Sequence, residues 1–119
     1  MRARAYYDGY SVKLPNSAGE MQEAGSLLDH RIVVCLIACG ALRYEEELGA
    51  ISVRLERKAR GSSEGYWVAY KRADAKLHKT YVCEADALDP YNLDCAYQRL
   101  MHNVALYQRR RAAGPDARP

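Results

Sequence analysis

The chain has no phenylalanine and a single tryptophan among its 119 residues, against ten tyrosines. A core built on phenyl rings is therefore excluded. Tyrosine rings bury their bodies and keep a hydroxyl near water or a polar partner, so half-exposed aromatic positions are expected. Cysteine is sparse and unpatterned. Cys35, Cys39, Cys83 and Cys95 form no CxxC pair, and His30, His78 and His102 complete no zinc-ligand spacing, so free, mostly buried thiols are expected and no metal or cofactor is implied. The longest apolar run, residues 32–42, falls well short of the about 20 residues that a membrane-spanning helix needs. Phosphate-loop, nucleophile-elbow and metalloprotease motifs are all missing, which argues against an enzyme. The first twenty residues are polar and turn-rich, unlike a secretory signal, and imply a cytoplasmic protein.

What is present is positive charge in one place. The net charge of +3 is mild, but residues 51–83 hold eight Lys or Arg against three Asp or Glu. Residues 1–50 hold five against seven, and residues 84–119 five against five. A basic cluster confined to one segment is the footprint of a nucleic-acid face, although edge strands also gather cations to block aggregation.

The length suits one domain, expected over residues 1–111 with a disordered tail at 112–119. A short strand is expected over residues 10–14, followed by a helix that starts near Ala18 and is interrupted at Gly25. Leu28, Ile32, Cys35, Leu36, Cys39 and Leu42 recur at helical steps, so the spacing predicts a helix over residues 26–48. The β-branched run at Ile32, Val33 and Val34 leaves a buried strand over residues 32–39 as the alternative, broken at Gly40. Ile51, Val53 and Leu55 then alternate with Ser52, Arg54 and Glu56, the period of a half-buried strand. Residues 58–65 read as a flexible connection. Asp89 suits a helix N-cap and Pro90 the first helical position, and an apolar stripe from Leu93 to Tyr107 predicts a helix over residues 90–110.

The most specific stretch lies between. Residues 66–72 and 76–82 read as two strands around a turn at 73–75. Alternation puts Trp67 and Ala69 on one face and Val68, Tyr70 and Arg72 on the other, opposite Leu77, Lys79 and Tyr81. Trp67 and Ala69 are expected against a covering helix. The other face, with Arg54 from the preceding strand, mixes tyrosines with cations, which suits phosphates and bases. The expected fold is thus α+β: a three-stranded antiparallel sheet over residues 51–83, backed by the C-terminal helix, with an N-terminal helical segment. An N-terminal helix packed on the basic face would abolish the site.

Trp67, Ala69, Tyr70, Lys71, Arg72, Lys76, Lys79 and Tyr81, followed by an acidic linker and a Leu-led helix, resemble a recurring pattern of bacterial and phage mobile-element proteins. The segment is similar to the arm-type DNA-binding domain at the amino end of tyrosine-recombinase integrases. That resemblance implies a three-stranded sheet whose open face enters the major groove of duplex DNA. The expected nucleic-acid-binding set is Arg54, Arg72, Lys76 and Lys79 on phosphates, with Tyr70 and Tyr81 near sugars or bases. Two positions depart from the pattern: Ala75 replaces its turn glycine, and Cys83 replaces its glycine after the third strand. The alternative expectation is a protein-interaction module, such as a phage-type inhibitor, accessory subunit or homodimer, because Tyr and Arg also anchor protein interfaces.

Overall fold

Strands are not confined to the middle of the chain; four more form between residues 5 and 46. The computed structural model describes residues 4–47, 49–57 and 65–113. Seven strands are formed: β1 (Ala5–Tyr7), β2 (Val12–Pro15), β3 (Met21–Gly25), β4 (Ala41–Glu46), β5 (Gly49–Arg57), β6 (Gly65–Ala73) and β7 (Lys76–Glu84). They make one sheet in the order β3-β2-β1-β4-β5-β6-β7. Every neighbouring pair is antiparallel except β1 and β4, which run parallel. Helix α1 (His30–Cys39) joins β3 to β4, and helix α2 (Pro90–Ala113) follows one 3-10 turn at Ala85–Ala87.

The three-stranded expectation is therefore corrected. The strands expected over residues 51–83 exist as β5, β6 and β7, but they are one half of a seven-stranded mixed sheet. In the missing half, β3 and β4 come from residues read as helical, whereas β2 falls where a short strand was expected over residues 10–14. No helix starts near Ala18. The Asn16 side chain accepts from the backbone N–H groups of Ala18 and Glu20 at 2.9 Å each, organising a turn between β2 and β3 in place of a helix cap. The helix expected over residues 26–48 stops at Cys39, because Gly40 takes a left-handed conformation (φ 74°) and donates to the Leu36 carbonyl at 2.8 Å. Leu42 and Tyr44 are then buried as alternate residues of β4, with Arg43 exposed between them. Of the connection read over residues 58–65 and the disordered tail read over 112–119, residues 58–64 and 114–119 lie outside the described residues, while Gly65 opens β6 and Ala112 and Ala113 belong to α2.

Both helices cover the same side of the sheet. One core gathers Ala5, Tyr7, Leu42, Tyr44, Ile51, Val53, Trp67 and Ala69 from the strands with Ile32, Val33 and Leu36 of α1 and Leu93, Ala96, Tyr97 and Leu100 of α2. Its aromatic thread is made of tyrosine: the rings of Tyr7 and Tyr44 lie 5.3 Å apart, and Tyr44 meets Tyr97 edge-on at 5.5 Å. Trp67 is fully buried, as expected, and its indole N–H donates to the Ala85 carbonyl at 3.0 Å. Asp89 caps α2 by accepting from the Asn92 N–H at 2.7 Å, with Pro90 as the first helical residue. A register shift beside Trp67 lets both Val82 and Cys83 turn into the core, so the residue replacing the pattern's glycine is a buried thiol. Among the described residues, no helix is long and apolar enough to cross a membrane.

Candidate nucleic-acid interface

With both helices on one side, the other side of the sheet carries no helix among the described residues. Pairing across the strands aligns side chains into rows on this open face. One row runs Lys79, Tyr70, Ser52, Arg43, Tyr6, Lys13 and Glu23, one residue from each strand, from β7 to β3. A second row brings Tyr81, Val68 and Arg54 side by side, and a third pairs Arg72 with Leu77. Arg54, Tyr70, Arg72, Lys79 and Tyr81 thus share one surface. Lys76 does not. It lies on the helix side of β7, its ammonium 4.7 Å from the centre of the Tyr107 ring of α2. Alternation explains the difference, since Lys76 and His78 are even-numbered neighbours on a strand whose odd residues face outward here.

The open face is indented in two adjoining places. A depression of about 470 Å³ is lined by Arg43, Arg54, Arg72, Tyr70, Ser52 and Leu77, together with Ala50, Ile51 and Lys71. Beside it, a depression of about 330 Å³ is lined by Arg4, Tyr6, Lys13 and Arg43, with Ala5 and Met21. Arg43 belongs to both, and among the described residues neither is lined by a carboxylate. Arg54 and Arg72 are exposed and have no ion-pair partner among the described residues. Both guanidiniums stand ready for an external anion.

Three carboxylates of this face, Glu45, Glu56 and Glu84, accept hydrogen bonds from its tyrosines. The Tyr6 hydroxyl donates to Glu45 at 2.6 Å, and Arg43 donates to the other oxygen of the same carboxylate at 2.9 Å. Glu56 accepts from Tyr70 and, at 3.2 Å, from Tyr66. Tyr81 donates to Glu84 at 3.2 Å. These bonds move proton affinities in the sense expected. Hydrogen bonding from Tyr70, supported by Tyr66 and the Lys79 charge, holds Glu56 below the usual carboxylate range. The Tyr6 hydroxyl and then Arg43 do the same for Glu45. Partial burial, with Glu56 as second cause, pushes the Tyr70 phenol up to about 12, so it stays a donor at neutral pH. The rings are thereby held in fixed orientations around a cationic floor.

The residues that sequence reading missed are Arg4, Tyr6, Lys13 and Arg43, all from β1, β2, β4 or their flanks. A signal for Arg43 was present: Leu42 and Tyr44 alternate with Arg43 and Glu45, but Leu42 also completes the helical stripe from Leu28. No protein-family model, curated protein or solved structure matches the chain.

Proposed function

We propose that this protein binds nucleic acid without catalysing a reaction on it, and that the open sheet face takes a single strand. The observation that carries this reading is the pair of adjoining depressions in which every charged lining residue among those described is a cation. Phosphates supply the complementary charge, and the Tyr6 and Tyr70 rings beside the arginines offer surfaces for bases. Tyr81, 50% exposed, with its ring 6.0 Å from that of Tyr66, extends the aromatic platform.

Duplex DNA held in the major groove, the partner implied by the arm-type resemblance, fits this sheet poorly. Seven strands at about 4.8 Å spacing span roughly 29 Å, whereas the major groove is about 12 Å wide. A flexible single strand can lie across the rows without needing a groove to enter. The bases of a single strand also have free faces, which the stacked pairs of a duplex do not.

The test is fluorescence anisotropy with a labelled single strand and its duplex, at two salt concentrations, for the wild type and for Arg54→Ala combined with Arg72→Ala. Four to five neutralised phosphates on a single strand give a log-log salt slope of about −3. The double variant is expected to weaken binding at least about tenfold at low salt and to flatten the slope by about 1.4. Salt-insensitive binding, or affinity untouched by the two substitutions, would overturn the reading. Tighter binding of the duplex would return the choice of partner to double-stranded DNA.

One observation favours a protein partner instead. Glu23, Glu45, Glu56 and Glu84 share the surface with the tyrosines and arginines, the mixture found at the rims of protein interfaces. A stable dimer in solution that ignores nucleic acid would support that second reading.

A further inference from the structure

The open face ends at β7, but the positive surface does not. On the far side of this edge strand, Lys76, Leu77, His78 and Lys79 of β7 and Asn103, Leu106, Tyr107 and Arg110 of α2 line a groove of about 440 Å³. Among the described residues, no carboxylate lines it. Leu77, 48% exposed, also lines the larger depression of the open face, so the two cationic hollows meet at that side chain. The groove's own chemistry points to an anion. Tyr107 is flanked by two cations, with the Lys76 ammonium at 4.7 Å and the Arg111 guanidinium at 5.9 Å from its ring centre. Arg111 is anchored at the hairpin by donating to the Asp74 carbonyl at 3.2 Å. His78 is 8% exposed, and its buried Nε2 has no hydrogen-bond partner among the described residues. A buried imidazole nitrogen left without a partner is uncommon, and such groups mark places where a bond is completed by something else.

We propose that a single nucleic-acid strand bound on the open face continues over Leu77 at the β7 edge and is held in the β7–α2 groove, with Lys76 and Arg110 taking its next phosphates. This rests on the reading of the open face as a single-strand site. It assigns a role to Lys76 that differs from the one its sequence position suggests: it acts beyond the edge of the sheet and not on the face. It also accounts for the run Arg109-Arg110-Arg111 as more than a favourable charge at the negative end of a helix.

The experiment compares a short and a long oligonucleotide, about 4 and about 12 nucleotides, both within the range of known single-strand site sizes. They are titrated against the wild type and against Lys76→Ala combined with Arg110→Ala. Both side chains are exposed, and short-strand binding reports that the face is intact. The expected result is short-strand affinity within about twofold of wild type, with long-strand affinity reduced about tenfold and its salt slope flatter by about 1.4 for two lost phosphates. Unchanged long-strand affinity and slope would overturn the groove while leaving the open-face reading standing. Equal losses for both lengths would also overturn it, by making the groove part of the primary site. A wild type that binds neither strand would overturn the open-face reading, and the extension with it.

Discussion

Tyr70 links the chemistry of the open face to its stability. Its hydroxyl donates to Glu56, and that bond is the largest cause of the lowered proton affinity of the carboxylate. A depressed folded-state pKa means that the contribution to stability is present above the usual value near 4.5 and is lost as pH falls through the lower folded value. Tyr70→Phe should therefore cost about 0.5–1 kcal/mol at neutral pH, the exposed carboxylate being screened by solvent. In urea melts, that difference should shrink below about pH 4.5. The phenol acts with the opposite sign. Raised from 10.0 to about 12, it stabilises the fold below pH 10, and this contribution disappears between those two values. Absorbance titration of the phenolates in wild type and Tyr70→Phe should show the missing late-titrating group. At the covered side of β6, Trp67 is the largest fully buried side chain among the described residues, and Trp67→Ala should cost about 3–5 kcal/mol in denaturant unfolding. Trp67→Phe keeps most of the volume and should cost less.

The β6–β7 hairpin shows how an element tolerates a residue that its turn does not prefer. Two residues join the strands, and both have positive φ: 52° at Asp74 and 65° at Ala75. Two positive φ values are what a tight hairpin of right-handed twist requires, and the second position is usually glycine. Alanine there leaves the turn geometry in place but strains the backbone. Ala75→Gly should relieve that strain and raise stability by about 0.5–1 kcal/mol, less the entropy that glycine gains in the unfolded chain. Gly65, at the start of β6, is the reverse case. Its φ is ordinary, but an added Cβ would lie 2.9 Å from the Glu56 carbonyl oxygen and 3.2 Å from a Leu55 methyl. Gly65→Ala must push β5 and β6 apart where they begin to pair. It should destabilise the protein by about 1–3 kcal/mol, by the overpacking route. Thermal melts of the two variants should shift in opposite directions.

At the scale of the whole molecule, the two halves of the sheet share one core, threaded by Tyr7, Tyr44 and Tyr97. Tyr97 also donates to the Gly49 carbonyl at 3.2 Å, tying α2 to the start of β5. Unfolding should accordingly be a single transition. Fluorescence of Trp67, the only tryptophan, and far-ultraviolet dichroism should give coincident urea curves. Separate transitions would mean that β5, β6, β7 and α2 form an independent unit. The β3 edge bears on association. Residues Met21 to Ala24 are exposed, and Glu23 lies near the middle of the strand. A symmetric antiparallel pairing of two such edges about Glu23 would set like charges opposite each other, an arrangement that opposes edge-to-edge dimers.

The sequence by itself determined whatever local periodicity and local caps specify. The alternation at Ile51, Val53 and Leu55, the faces of the β6–β7 hairpin, the burial of Trp67 and the Asp89-Pro90 helix start were all legible, because each depends on neighbours a few residues away. The shared surface of Arg54, Tyr70, Arg72, Lys79 and Tyr81 followed from the same period of two. Only the tertiary structure decided the rest. Leu42 fits both a helical stripe and a strand, and what ends the helix at Cys39 is the left-handed turn of Gly40, followed by pairing of β4 between β1 and β5. Strand partners far apart in the chain bring Tyr6 and Lys13 beside Arg43 on the open face. The placing of both helices on one side leaves that face without a helix among the described residues: the side taken by α2 was legible from Trp67 and Ala69, but the side taken by α1 depends on how β1 to β4 join the sheet. Lys76 shows the same limit from the other direction: its charge was legible, but its position against Tyr107 depends on the packing of α2 on β7.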